Sequence, residues 1–212
     1  MKLFLSDFDG TLVSKDLLDV MCGIVGKEQE SMEQQKVAIK EGFKTYNPLM
    51  KRINFLKDVT LEQINNKLDE NNYLFDGTIE LFKFLKENGY KTVLHTGNIF
   101  PVAQYYQNLL GIDFLVCTRP KMDGNKIVGI ELADFGAHGF KARGCQEIID
   151  RFKVKKDNIV AIGDSIVDLP MFELAGKKIA INAKEGIEKH ADFEIKNQDL
   201  RDAIGFLKHF EC

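Results

Sequence analysis

Apolar positions along this chain follow two rhythms. Near the start, Leu3-Phe4-Leu5 is a short continuous run that ends at Asp7-Phe8-Asp9-Gly10-Thr11. An apolar run of that length, bounded by a turn signal, predicts a buried strand. From Lys15 to Leu74 the spacing becomes helical and no strand is predicted. Leu17, Leu18, Val20, Met21, Ile24 and Val25 make one apolar face. Asn47-Pro48 reads as a helix start with Asn as cap, and Leu49, Ile53 and Leu56 then recur at helical spacing. Thr60-Leu61-Glu62-Gln63 is a capping-box pattern ahead of Ile64 and Leu68. A block of about 60 residues is too long for a loop. It predicts a small helical unit inserted after the first strand.

From Asp76 onward helix and strand alternate. Helices are predicted at Ile79–Leu85, stopped by Gly89, at Val102–Leu110, stopped by Gly111, and at Gln146–Phe152, Leu169–Leu174 and Leu200–Phe210. Strands are predicted at Lys91–Thr96, Phe114–Cys117, Ile159–Ile162 and Ile179–Ile181, with a hairpin turn at Met122-Asp123-Gly124-Asn125. Alternation of this kind implies right-handed parallel crossovers. The expected fold is α/β: a doubly wound, Rossmann-like parallel sheet with an inserted all-helical cap and a β-hairpin. The expected division is a catalytic core of residues 1–13 and 76–212 and a cap of residues 14–75.

Composition narrows the function. The chain has 212 residues, 44% of them hydrophobic, and a net charge of −3, with Lys and Arg scattered rather than clustered. A packed domain is therefore expected, with no nucleic-acid partner. Asp7 and Asp9 interrupt the N-terminal apolar run and no stretch has the length of a membrane span, so neither a signal peptide nor a membrane partner is expected. Cys22, Cys117, Cys145 and Cys212 lie far apart, without metal-ligand or disulfide-framework spacing, which points to a cytoplasmic setting.

Three predicted strands run into polar clusters. The first meets Asp7 and Asp9, the second His95-Thr96-Gly97-Asn98, and the strand at Ile159–Ile162 meets Gly163-Asp164 and, further on, Asp168. Ligands bind beyond the carboxyl ends of strands in an open parallel sheet, so one crevice is predicted to collect all three. Carboxylates as close as Asp7 and Asp9 repel, and magnesium, a hard cation, would neutralise them. Taken singly, an Asp-Gly turn accounts for the first cluster equally well, and Lys141 reads as a solvated lysine at a helix start. Core packing does not account for three such ends on one edge, because a buried unpaired carboxylate costs several kcal/mol. His95 reads as a packed strand residue.

In motif order the chain resembles the haloacid dehalogenase superfamily of aspartate-nucleophile phosphatases. The motifs are Asp7-Phe8-Asp9-Gly10-Thr11, Thr96-Gly97, Lys141, and Gly163-Asp164 through Asp168. With its helical insertion, Asp168-Leu169-Pro170-Met171-Phe172 and Asn182-Ala183-Lys184, it is most similar to phosphoserine phosphatases. The resemblance implies a magnesium-dependent phosphomonoesterase acting on a small phosphorylated metabolite, phosphoserine being the first candidate. Asp7 would be the nucleophile and Asp9 the general acid and base. Magnesium would be held by Asp7, the Asp9 carbonyl and Asp164. Thr96, Gly97 and Lys141 would bind phosphate, and Asp168 would support from behind. In the cap, Asp16 would hold a substrate amine and Arg52 a substrate carboxylate. Three positions depart from the phosphoserine phosphatase pattern: Asp16 stands for Glu, Asn98 for Gly and Val167 for Asn. Transfer to a small alcohol through the same intermediate, and a phospho-accepting signalling domain, are the alternative readings.

Overall fold

The computed structural model describes residues 1–42, 45–131 and 140–209, excluding the side chains of residues 140 and 141. In chain order the elements are β1 (Lys2–Ser6), α1 (Leu17–Cys22), α2 (Glu28–Lys40), α3 (Asn47–Phe55), α4 (Leu61–Asp69), α5 (Thr78–Glu87), β2 (Tyr90–Ile99), α6 (Phe100–Leu110), β3 (Phe114–Thr118), β4 (Lys121–Asp123), β5 (Lys126–Gly129), α7 (Phe140–Phe152), β6 (Ile159–Gly163), α8 (Leu169–Leu174), β7 (Lys177–Ile181), β8 (Phe193–Ile195) and α9 (Arg201–Lys208).

Six strands form one sheet in the order β3-β2-β1-β6-β7-β8, parallel throughout. β1 lies in the middle, with Leu5 paired to Val93 on one side and to Ala161 on the other. Alternation along β1 sends Leu3 and Leu5 to one apolar layer and Phe4 to the other, where Phe4 meets Phe82 edge-on. Both faces are thereby buried, which is why the strand reads as a continuous apolar run. The chain proceeds to β2 on one side of β1 and later to β6 on the other. That reversal opens a crevice at the carboxyl ends of these strands.

The helical segment α1–α4 follows β1 directly. Its two connections to the core run side by side: Ser14 N–H donates to the Tyr73 carbonyl (2.9 Å) and Phe75 N–H to the Leu12 carbonyl (3.0 Å). A third attachment comes from the antiparallel pair β4–β5. Asp58 N–H donates to the Ile127 carbonyl (2.7 Å), Ile127 N–H to Val59 (3.0 Å), and Leu61 N–H to Asn125 (2.8 Å).

Several local expectations need correction. α1 is only six residues long and buried on every side, Asp19 included, while Val25 lies in a following 3-10 turn and is exposed. Asn47 is the first residue of α3 rather than its cap, which is Tyr46. The Thr60–Gln63 box closes as expected. β2 runs on to Ile99, past the predicted end at Thr96, with a break in its register against β3 after His95, so Gly97 lies inside the strand rather than beyond it. The edge strand β8 was not predicted.

Candidate active site

β1 delivers Asp7 to the crevice. Its N–H continues the ladder to the Ile162 carbonyl (3.0 Å), and its Oδ2 accepts from Thr11 Oγ1 (3.1 Å). The loop then turns at Gly10, with φ at +89°, a conformation glycine adopts without steric cost. A Cβ there would stand 2.2 Å from Asp164 Oδ2, so the glycine also makes room for the carboxylate that arrives from β6.

Asp9 is held from three directions. Its Oδ1 accepts from the Leu17 N–H at the start of α1 (2.8 Å), Asn98 Nδ2 donates to both carboxyl oxygens (3.3 Å each), and Thr96 Oγ1 lies 3.5 Å from Oδ2. Asn98 is itself fixed, its Oδ1 accepting from Ile99 N–H at 2.8 Å. Burial, followed by the charge of Asp16, holds the Asp9 carboxyl well above the ordinary carboxylate range despite these bonds. A group tuned in this way can carry a proton where an ordinary aspartate has lost it.

Asp164 caps the far side. Asp168 Oδ2 accepts from the N–H groups of Asp164 (3.0 Å) and Ser165 (3.2 Å) and so sets the turn after β6. Lys184 Nζ donates to Asp164 Oδ2 at 2.6 Å, and Asn182 Nδ2 donates to the Gly10 carbonyl at 3.2 Å. Burial and then the charge of Asp7 still raise Asp164, so the lysine only partly offsets the crowding of two buried carboxylates. Such a surplus of buried negative oxygen suits a divalent cation. Donor atoms of Asp7, His95 and Asp168 also lie within 4.8 Å of one another. A ring nitrogen is a poor ligand for a hard cation. The oxygens of Asp7 and Asp164 therefore suit a hard divalent cation better than a set that includes an imidazole.

Leu49 of α3 approaches Gly97, where a Cβ would lie 3.6 Å from its Cδ2. The helical segment thus covers the end of β2. Within it Arg52 is buried, between Asp16 Oδ1 (2.6 Å) and Asp19 Oδ1 (2.9 Å), with Nε on Ser31 Oγ (2.9 Å) and NH1 on Gln35 Oε1 (2.7 Å).

Asp7, Asp9, Thr96, Gly97, Asp164 and Asp168 thus gather at the ends of β1, β2 and β6, and Asp16 and Arg52 lie together in the helical segment. Lys141 is the second residue of α7, and its side chain lies outside the described residues. The polar partners that sequence reasoning missed are Asp19, Ser31 and Gln35 around Arg52, and Lys184 on Asp164. Only the Asn182-Ala183-Lys184 stretch carried a signal for the last of these.

The sequence and the fold have counterparts among known proteins. A phosphoserine phosphatase of Methanocaldococcus jannaschii is 29% identical over 98% of both chains. One of Archaeoglobus fulgidus is also 29% identical over 98% of this chain, which spans 60% of that longer relative. A solved structure described as a phospho-aspartyl intermediate analogue of phosphoserine phosphatase superposes with a TM-score of 0.82 at 28% identity, covering 97% of this chain and 98% of that one. The sequence model of the haloacid dehalogenase-like hydrolases matches residues 1–176, and with that span covered the protein belongs to this hydrolase family.

Proposed function

We propose that the protein is a magnesium-dependent phosphomonoesterase that acts on a small phosphorylated metabolite through an aspartyl-phosphate on Asp7. The observation that carries the reading is the pairing of two differently treated carboxylates: Asp7, hydrogen-bonded to Thr11, and Asp9, raised by burial and by Asp16. Asp7 Oδ attacks phosphorus and the ester oxygen departs. Asp9 gives that oxygen its proton, then takes one from the water that attacks the aspartyl-phosphate, which returns Asp7 as carboxylate and releases phosphate. Thr96 Oγ1, the Gly97 amide and the Lys141 amine hold the phosphoryl oxygens, where charge grows in the transition state. Magnesium, held by Asp7, the Asp9 carbonyl and Asp164, would offset repulsion between nucleophile and phosphate dianion. Asp168 fixes the loop that presents Asp164. The helical segment serves as a cap that excludes water and reads the rest of the substrate.

Phosphoserine is the first candidate substrate, supported by the names of the relatives above. A cytoplasmic setting belongs to the same reading, supported by the scattered cysteines; no helix among the described residues is long and apolar enough to cross a membrane.

The test is a panel of phosphorylated metabolites incubated with magnesium, run on the parent protein and on Asp7→Asn. The expected result is phosphate release without any acceptor alcohol, falling at least about 1,000-fold in the variant, or ~4 kcal/mol of barrier. Conversion of an added alcohol into a new phosphate ester, with no free phosphate in its absence, would indicate transfer, and a long-lived phospho-aspartate would indicate a phospho-accepting domain. Near-parental turnover by Asp7→Asn would remove the nucleophile.

A further inference from the structure

Asn98 stands where the phosphoserine phosphatase pattern has glycine, and its side chain is buried. A buried amide needs partners at both of its ends. Here Oδ1 accepts from Ile99 N–H (2.8 Å), and Nδ2 spans the two carboxyl oxygens of Asp9 (3.3 Å each). The backbone around it is shaped to aim it. β2 pairs with β3 at His95–Val116 and next at Ile99–Thr118, so β2 carries extra residues between those pairs. A bulge of this kind redirects side chains. Two further bonds hold it: Thr118 Oγ1 donates to the Gly97 carbonyl (2.8 Å), and Asn98 N–H donates to Thr96 Oγ1 (3.0 Å). Asn98 thus grips the acid through its amide, and through its main chain the hydroxyl proposed to hold phosphate.

The two oxygens of Asp9 are not equivalent. Oδ1 accepts from Leu17 N–H (2.8 Å) and from Asn98, which occupies both of its lone pairs. Oδ2 accepts from no main-chain amide among the described residues and faces the Thr96 hydroxyl at 3.5 Å. A proton on this carboxyl therefore belongs on Oδ2. Turning the carboxyl would exchange the two oxygens, and the Leu17 bond alone does not prevent that. Nδ2, which touches both, fixes the plane.

We propose that Asn98 is a positioning residue for proton transfer: it locks the Asp9 carboxyl so that Oδ2, on the Thr96 side, gives the departing alkoxide its proton. This rests on the phosphomonoesterase reading and adds a residue to it. The bond from phosphorus to the ester oxygen breaks, its electron pair stays on that oxygen, and the proton from Asp9 Oδ2 completes the alcohol. Asp9 is left as a carboxylate, which Nδ2 stabilises by donating to it. With Nδ2 gone the carboxyl is free to turn, and esters whose leaving group needs the proton suffer most.

The experiment compares kcat/KM, which reports the steps up to departure of the alcohol, for two esters of similar bulk, with magnesium. Benzyl phosphate releases an alkoxide, which needs the proton. p-Nitrophenyl phosphate releases a nitrophenolate, which leaves without it. In Asn98→Ala the ratio of benzyl to p-nitrophenyl phosphate should fall at least about tenfold, a part of the roughly 100- to 10,000-fold that a general acid supplies. The inhibition constant of inorganic phosphate should stay within about threefold. Asn98→Ala also deprives Ile99 N–H of its acceptor and so lowers stability, but both rates are read on one preparation, and an unfolded fraction scales them alike. Asn98→Asp keeps the shape and that acceptor without the donor, and should lower the ratio as well. A parental ratio in either folded variant would overturn the inference. So would phosphate inhibition in Asn98→Ala that weakens as much as the rate falls, since Asn98 would then shape the binding site alone. Those results leave the phosphatase reading standing. A parent protein that hydrolyses neither ester would overturn both.

Discussion

Lys184 Nζ sits 2.6 Å from Oδ2 of Asp164, the carboxylate proposed above as a metal ligand. Burial works against the lysine's charge, but the bond to Asp164 outweighs it and raises the amine. The lysine side chain is more than half exposed, so it can leave without a large desolvation change. Lys184→Met should therefore lower the melting temperature in EDTA, where Asp7 and Asp164 lose their neutralising partner. It should also enlarge the rise that magnesium produces. Thermal melts with and without magnesium check this, and an unchanged metal-induced shift would contradict it.

Gly10→Ala tests the same corner from the backbone. The added Cβ would collide with Asp164 Oδ2, and φ at +89° already costs a side-chain-bearing residue roughly 1–2 kcal/mol. The expected outcome is a less stable protein whose activity needs at least about tenfold more magnesium, a loss of ~1.4 kcal/mol of metal binding. A magnesium titration of initial rates measures it.

The raised Asp9 carboxyl has a sign that can be worked out. The folded protein keeps a proton there above the ordinary value of 3.8, at a pH where the unfolded chain has released it. The stability contributed by Asp9 is thus fully present below the unfolded value and is lost as pH climbs through the folded one. Asp164, raised in the same direction, adds to the trend. In metal-free protein, the stability of Asp9→Asn relative to the parent should increase with pH across this window. Melts in EDTA at a series of pH values would show it, and a constant difference would refute it.

Arg52→Ala removes the single cation between Asp16 and Asp19 and strands two carboxylates that are largely out of water. Breaking one side of a buried ion cluster costs about 3–5 kcal/mol. Adding Asp19→Asn should restore part of that loss, since one of the stranded charges is then gone. Urea denaturation of the single and double variants provides the comparison, and a parental midpoint for Arg52→Ala would count against the cluster's role.

Much of the fold could be read from short-range pattern. Leu3–Leu5 is continuous because both of its faces are buried, and the Thr60–Gln63 box depends on neighbours three residues apart. β8 escaped notice because Phe193-Glu194-Ile195 is short, lies at an edge and has only one fully buried residue. α1 defeated the periodic reading for a different reason: a six-residue helix enclosed on all sides has no polar face to set a period. The carboxylates at strand ends were visible because strand ends were. What surrounds Arg52 was not, since Asp19, Ser31 and Gln35 sit on other helices and are gathered only by packing. Asn98 was noticed as a departure, but its grip on Asp9 depends on two strands lying side by side.

The hairpin that meets Val59 and Leu61 changes how the cleft can admit a substrate. If the helical segment swung on its two covalent connections alone, main-chain bonds to Asn125 and Ile127 would have to break together, at about 1 kcal/mol each. Letting residues 121–129 travel with the segment avoids that loss. The moving body would then be larger than the insertion itself.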